Sequence, residues 1–510
     1  MKYFLKIRAR LLTVIIGLML TLSLAQATTY YSRATGNWTA NTTWSLTSGG
    51  VAVGAGVYPV AGDAVFIERG FTVTVNAASA CASIQFGHTG ATASAGSLTF
   101  SNSSTLTVSG AVTVGNNISG SSGTITFTSG STLIAGSLRL GGTIAGANGT
   151  IIMSAGGTLS LGGAITLGTG SKTWTPGAGK LIFTGTNTLP SSVFTTFNNL
   201  EINGGTTTTG ANITAIASLT IGSGATFNPT GTHTITATKV TVNGTYNNQS
   251  SATKTFTNWT AGSSGNYTHA NTSVALPVGT GTTTWNATSN CTVTGAFTTS
   301  TVLTGFVGQT FGHFTWNCSG QTSTANLYSA TGTTTIAGNF TVISTGTTGV
   351  LHLRLSGQIF IPTLNITGDL IVQSGTFDLN NNGGTANQAN TINLSGNFSM
   401  TGGTLTQTTT QSNATTTINF VKSGTQTFTK SGGTISSTTT AGDGILFNVA
   451  NGAILDMGTS VLDGSNQTSF TLASGAGIIT ANTAGLAATG ATGSIQVAGT
   501  RTFSTIANYT

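Results

Sequence analysis

The chain has 510 residues, of which 15 are Lys or Arg and 8 are Asp or Glu, against 72 Gly and 108 Thr. A chain so poor in charge yet 38% hydrophobic is not disordered, and with 6 Pro and 3 Cys it is neither collagen nor a disulfide scaffold. Gly and Thr are poor helix formers and the charged helix formers are nearly missing, so the composition points to a large all-β protein.

Residues 1–27 read as a secretory signal. Lys2, Lys6, Arg8 and Arg10 precede an apolar run over 11–24, and Ala25-Gln26-Ala27 supplies a small-residue cleavage site. The run is shorter than the roughly 20 residues of a membrane span, so cleavage after Ala27 and export are expected, with no span left behind. The expected location is extracellular or on the outer cell surface. Cleavage removes four of the 15 basic residues and leaves 11 − 8 = +3, too weak and dispersed a charge for nucleic acid.

Residues 28–96 are expected to hold an N-terminal capping module and the first coils. They contain Gly36-Asn37-Trp38, Trp44, Pro59 and Gly62-Asp63, then the strand-like Gly70-Phe71-Thr72-Val73-Thr74-Val75. Residues 97–251 carry a repeat. SLTFSNSSTLTVSGAVTVG is followed by TITFTSGSTLIAGSLRLGG and TIIMSAGGTLSLGGAITLG, with equivalent positions 26 or 27 apart. Apolar residues alternate with small or polar ones, the pattern of strands with one buried face. The first strand turns Leu98/Phe100, Ile125/Phe127 and Ile151/Met153 inward. The second turns in Leu106/Val108, Leu133/Ala135 and Leu159/Leu161, and the third Val112/Val114, Leu138/Leu140 and Ile165/Leu167. Such recurrence predicts a right-handed parallel β-helix (a β-solenoid) with about three short strands per 26–30-residue coil, rather than a sandwich or propeller of hairpins.

Residues 252–335 are aromatic, Thr-rich and poorly periodic, and read as wider coils or a break between solenoid segments. Trp259, Tyr267, Trp285 and Trp316 are the candidates for stacking on sugars; filling the wider coils is the competing reading. Cys291 and Cys318 stand one repeat apart and could face each other on adjacent coils, which leaves their pairing open. Residues 336–510 resume the repeat with GNFTV, GDLIV and GNFSM, beginning at Gly338, Gly368 and Gly396. The text stops at RTFSTIANYT in mid-repeat without a capping pattern, so a truncated chain is expected.

Little in the sequence carries chemistry. No two mature carboxylates stand one coil apart, although Asp443, Asp456 and Asp463 could meet around a coil, and the five histidines are scattered. Asp378-Leu379-Asn380-Asn381-Asn382-Gly383 begins like a calcium loop, but its twelfth position is Ala389 instead of Glu, and a polar turn is expected. No catalytic residue, metal ligand or cofactor site is assigned. The outward residues Thr99, Thr126 and Ile152 break an ice-binding type of Thr ladder, as do Thr107, Ile134 and Ser160, and Thr113, Arg139 and Thr166.

The Trp38, Trp44, Pro59, Gly62-Asp63 pattern, with the later LEINGG, SGTFDLNNN, NLSGNFSMTGGTL and FVKSGTQTF, resembles the secreted β-helix proteins of Bacteroidetes. The likeness extends over nearly the whole mature chain. It implies a surface-exposed, adhesin-like repeat protein, often exported by type IX secretion through a C-terminal sorting domain that this text does not contain. The expected function is a non-catalytic secreted or cell-surface β-solenoid with a structural or adhesive role toward glycans or surface proteins. The alternative is a carbohydrate-active β-helix enzyme, or a glycan-binding scaffold of one.

Overall fold

A computed structural model describes residues 27–88, 95–118, 120–273, 275–358, 360–381, 389–409, 414–438 and 444–510. The chain is all-β and forms a parallel β-solenoid of about 15 turns, roughly 26 residues apart. Among the described residues the one helical turn is Asn41–Thr43, of 3-10 type, and no helix is long and apolar enough to cross a membrane. The described residues divide into two compact units, the first ending at Leu181 and the second starting at Ile182.

In the first unit the expected register is the observed one. Leu98, Ile125 and Ile151 pair rung on rung, as do Leu106, Leu133 and Leu159, and Val112, Leu138 and Ile165. All are buried, and each contributes about 1.5–3 kcal/mol by leaving water. One detail differs from the three-strand expectation. The second and third strands are one bent strand in two coils, Thr105–Val114 and Thr132–Leu140, and are separate in the coil before, Ser79–Cys81 and Ser83–His88, and in the coil after, Thr158–Leu161 and Ile165–Leu167. The bend follows from a glycine column. A Cβ on Gly110, Gly136 or Gly163 would fall 2.6–2.7 Å from the carbonyl oxygen of Ala82, Ser109 or Gly136 respectively, so the backbone can pass closely only without a side chain. At the glycine the register shifts by one residue, from Ala135 opposite Val108 to Ser137 opposite Ala111, yet both arms stay in one sheet, and each coil presents two sheets.

The Trp38, Trp44, Asp63 pattern builds the end of this unit. Trp38 and Trp44 are fully buried edge to face, 5.2 Å between ring centroids. Trp38 Nε1 donates to Pro59 O (3.1 Å) and Trp44 Nε1 to Trp38 O (2.7 Å). Asp63 Oδ1 accepts from Thr28 N (2.9 Å) and its Oδ2 from Val60 N (2.8 Å). The motif residues thus satisfy backbone groups that a terminal coil would leave open. The strand Trp44–Ser45 runs antiparallel to Thr29–Ser32.

The second unit changes its cross-section. Over 196–285 the coils are short: Leu200, Leu219, Val240 and Trp259 succeed one another in register at offsets of 19, 21 and 19. Here the strands belong to two sheets, one ending at Thr283–Trp285, the other a 14-stranded sheet that runs from Asn187–Thr188 to Asn508–Tyr509. From Thr301–Val302 and Thr310–Phe311 onward two new sheets, of six and eight strands, join the 14-stranded one, so each coil has three sides. Phe314, Phe340, Leu370, Phe398 and Phe428 then stack at offsets of 26, 30, 28 and 30. The poorly periodic stretch 252–335 is this changeover.

Candidate functional surface

The four aromatics expected at a sugar-binding surface are in the core. Trp259, Tyr267, Trp285 and Trp316 are 0, 2, 6 and 0% exposed. Trp259 lies 5.6 Å from Tyr267 and 5.7 Å from Trp285; Trp285 continues to Phe311 at 5.2 Å, and Trp316 stacks on Phe297 at 5.6 Å. Their faces are covered by other rings, so no sugar reaches them. They are large because the interior widens where two-sided coils become three-sided, and a close-packed interior leaves no void.

The cysteines do not pair. Cys291 sits opposite Tyr267 and Phe314 in its ladder, so the 27-residue spacing to Cys318 is not the local register. Cys318 lies beyond the strand, its Sγ donating to Val293 O at 3.4 Å. Cys81, Cys291 and Cys318 are all free and buried, and burial raises each thiol, Cys81 to about 12.

Most described carboxylates serve the backbone or a single neighbour. Asp369 Oδ1 accepts from Asn397 N (2.7 Å) one coil on, and Asp456 Oδ1 from Gly458 N (2.9 Å). Asp463 pairs with Lys430 Nζ at 2.8 Å, so Asp456 and Asp463 do not combine into a site; Asp443 lies outside the described residues. Asp378 Oδ1 accepts from Asn380 N (3.0 Å) and Thr408 N (3.3 Å), the polar turn expected there; residues 382–388 of that loop lie outside the described residues. Among the described residues no three His, Cys, Asp or Glu stand close enough to hold a metal ion.

Asp378 belongs to an arrangement that sequence patterning missed. Asn326, His352, Asp378, Thr406 and Ser436 occupy one column of the six-stranded sheet. The strands Thr324–Tyr328 and Val350–Arg354 are buried at four of five positions, hence on both faces, so the column is an interior polar seam. His352 Nε2 stands 3.8 Å from Asp378 Oδ2, and His352 Nδ1 3.2 Å from Asn326 Oδ1. Burial pushes Asp378 up to about 6 against the hydrogen bonds it accepts, and pushes His352 down to about 4. Among the described residues Asp378 is the one carboxylate of this column.

The outward faces are the accessible candidates. In the first unit a six-stranded sheet presents two columns. Thr72, Ser97, Thr124, Thr150 and Thr173 form one, and Thr74, Thr99, Thr126, Ile152 and Thr175 the other. A hydroxyl column therefore does persist through five coils. The triplet Thr99, Thr126, Ile152 sampled only one of two outward positions per rung. In the second unit the 14-stranded sheet carries Thr206, Thr226, Thr245, Asn266, Asn290 and His313 in one column. On the eight-stranded sheet Asn365, Asn393, Asn419 and Asn448 stack, each Nδ2 donating to the Oδ1 of the coil before at 2.9, 3.0 and 2.8 Å. The signal for this amide ladder was legible: LNI, INL, INF and FNV each set Asn between two apolar residues. These columns contain no Lys, Arg, Asp or Glu. Compared with protein-family models, with curated proteins and with solved structures, the chain matches none.

Proposed function

We propose that the chain is an exported, non-catalytic β-solenoid that acts as a structural or adhesive scaffold at the cell surface, as its resemblance to bacterial adhesin-like repeat proteins implies. The observation that carries this reading is the set of charge-free hydroxyl and amide columns on the outward faces, repeated at about 4.8 Å from rung to rung. A flat polar lattice without charge favours neutral, extended partners such as glycan chains, engaged by many weak contacts at once. The internal use of the carboxylates supports the non-catalytic half of the reading. The test is retention of the mature protein on immobilised neutral polysaccharides, alongside a variant carrying Thr99→Glu, Thr124→Glu and Thr126→Glu. Retention that the three charges abolish is the expected result. Equal retention of both proteins, or release of sugar products by the parent, refutes it. The paired Thr columns of the first unit also favour a second reading, an ice-ordering face, which freezing hysteresis separates from glycan retention.

A further inference from the structure

One concave feature interrupts the neutral faces. Gln85, Thr113 and Arg139 are successive rungs of an outward column in the first unit. Beside them the turns of two neighbouring coils bring Asn116, Asn117 and Thr143 to the rim of a pocket of about 200 Å³. The floor is set by close backbone approach: a Cβ on Gly142 would fall 1.7 Å from Asn116 O. Two features point to a ligand. Arg139 is the one charged side chain lining the pocket, and it makes no ion pair or hydrogen bond among the described residues. Asn116 is 4% exposed, and its Oδ1 is held by Gln85 Nε2 (2.6 Å) and Asn117 N (2.7 Å) while its Nδ2 donors have no partner among the described residues. Nδ2 is not itself a fully buried atom, and Asn116 lines the pocket, so these donors are left for whatever enters it.

We infer that this pocket binds a carboxylate-bearing sugar of the uronic acid class. A guanidinium without an acidic partner, in a chain with so few charges, presents a planar fork that matches a carboxylate in bidentate fashion. The surrounding amides and hydroxyls are neutral donors and acceptors of the kind that read sugar hydroxyls. A dianionic phosphate would call for more than one cation, and the volume admits one sugar ring with its carboxylate. The inference deepens the adhesive reading by adding an acidic-glycan contact, but it stands on a different face from the columns of Thr99 and Thr126.

Titration of the mature full-length protein with galacturonate and glucuronate, followed by ligand-observed NMR, tests it, with galactose and inorganic sulfate as parallel arms. Saturable uronate binding with a Kd on the order of 1 mM is expected for so small a site. Arg139→Gln should weaken it at least tenfold and Arg139→Lys less, with thermal unfolding unchanged because Arg139 makes no hydrogen bond or ion pair among the described residues. Asn116→Asp should weaken it too, by setting a like charge against the ligand. Galactose or sulfate binding as tightly as uronate overturns the inference, as does an absence of saturation, or full binding by Arg139→Gln. Retention on neutral polysaccharide should be unaffected by Arg139→Gln, so the two readings fail separately.

Discussion

His352 and Asp378 should conceal each other in the pH dependence of stability. Burial holds the Asp378 carboxyl at about 6 instead of 3.8, and the His352 imidazole at about 4 instead of 6.5. Between about pH 4 and 6 the folded protein therefore keeps a proton on Asp378 that the unfolded chain has released. Over nearly the same window it lacks a proton on His352 that the unfolded chain has taken up. The first effect makes stability fall as pH rises; the second makes it rise. With one pKa unit worth about 1.4 kcal/mol, each amounts to about 3 kcal/mol, and they oppose. His352→Gln removes the rising contribution. Relative to the parent, it should lose about 3 kcal/mol between about pH 4 and pH 6.5. Asp378→Asn should gain about as much over the same interval. Urea midpoints followed by Trp fluorescence would read both differences, since all other groups cancel against the parent. Hydrogen exchange in the strands Thr324–Tyr328 and Val350–Arg354 would place the effect. Parallel pH profiles for parent and both variants would refute the coupling.

Three further outcomes are expected. Asn419→Ala removes an amide that both donates to Asn393 and accepts from Asn448, so it should cost about 1–3 kcal/mol, read as a lowered urea midpoint. Trp259→Ala opens a cavity among Tyr246, Phe256, Tyr267 and Trp285 and should cost about 3–5 kcal/mol in the same assay, with retention on polysaccharide unchanged wherever the protein stays folded. Native protein should show no thiol reactive toward a chromogenic disulfide, three after denaturation, and an unfolding temperature indifferent to reductant.

Sequence and structure agree where coil length is constant. Leu98, Ile125 and Ile151 are equivalent in the sequence because 26–27 residues separate every such position, and alternation marks which side faces in. At Trp259 and Trp285 the pattern left two readings open, sugar stacking and core filling, and their burial agrees with the second. Offsets of 19–21 give way to 26–30 across that region, so no single period aligns it, and the sequence alone does not assign its large aromatics to the interior column. The seam at His352 and Asp378 escaped because a strand buried on both faces loses the period-two pattern. In the sequence Arg139 shows only as a break between Thr113 and Thr166. Its meaning lies in the turns at Asn116 and Thr143, which no strand pattern brings beside it.

The changeover from two-sided to three-sided coils near 285–301 constrains how such a molecule can change over evolutionary time. Within a run of constant offset, such as 98–151 or 200–259, coils stack on near copies of themselves, so duplication or loss of one whole repeat restores the same neighbours. At the changeover each coil rests on one of different outline, and Trp259, Trp285, Phe306 and Phe311 fit one succession only. Length is therefore free to drift by whole repeats within each segment, while the junction behaves as a single inherited unit.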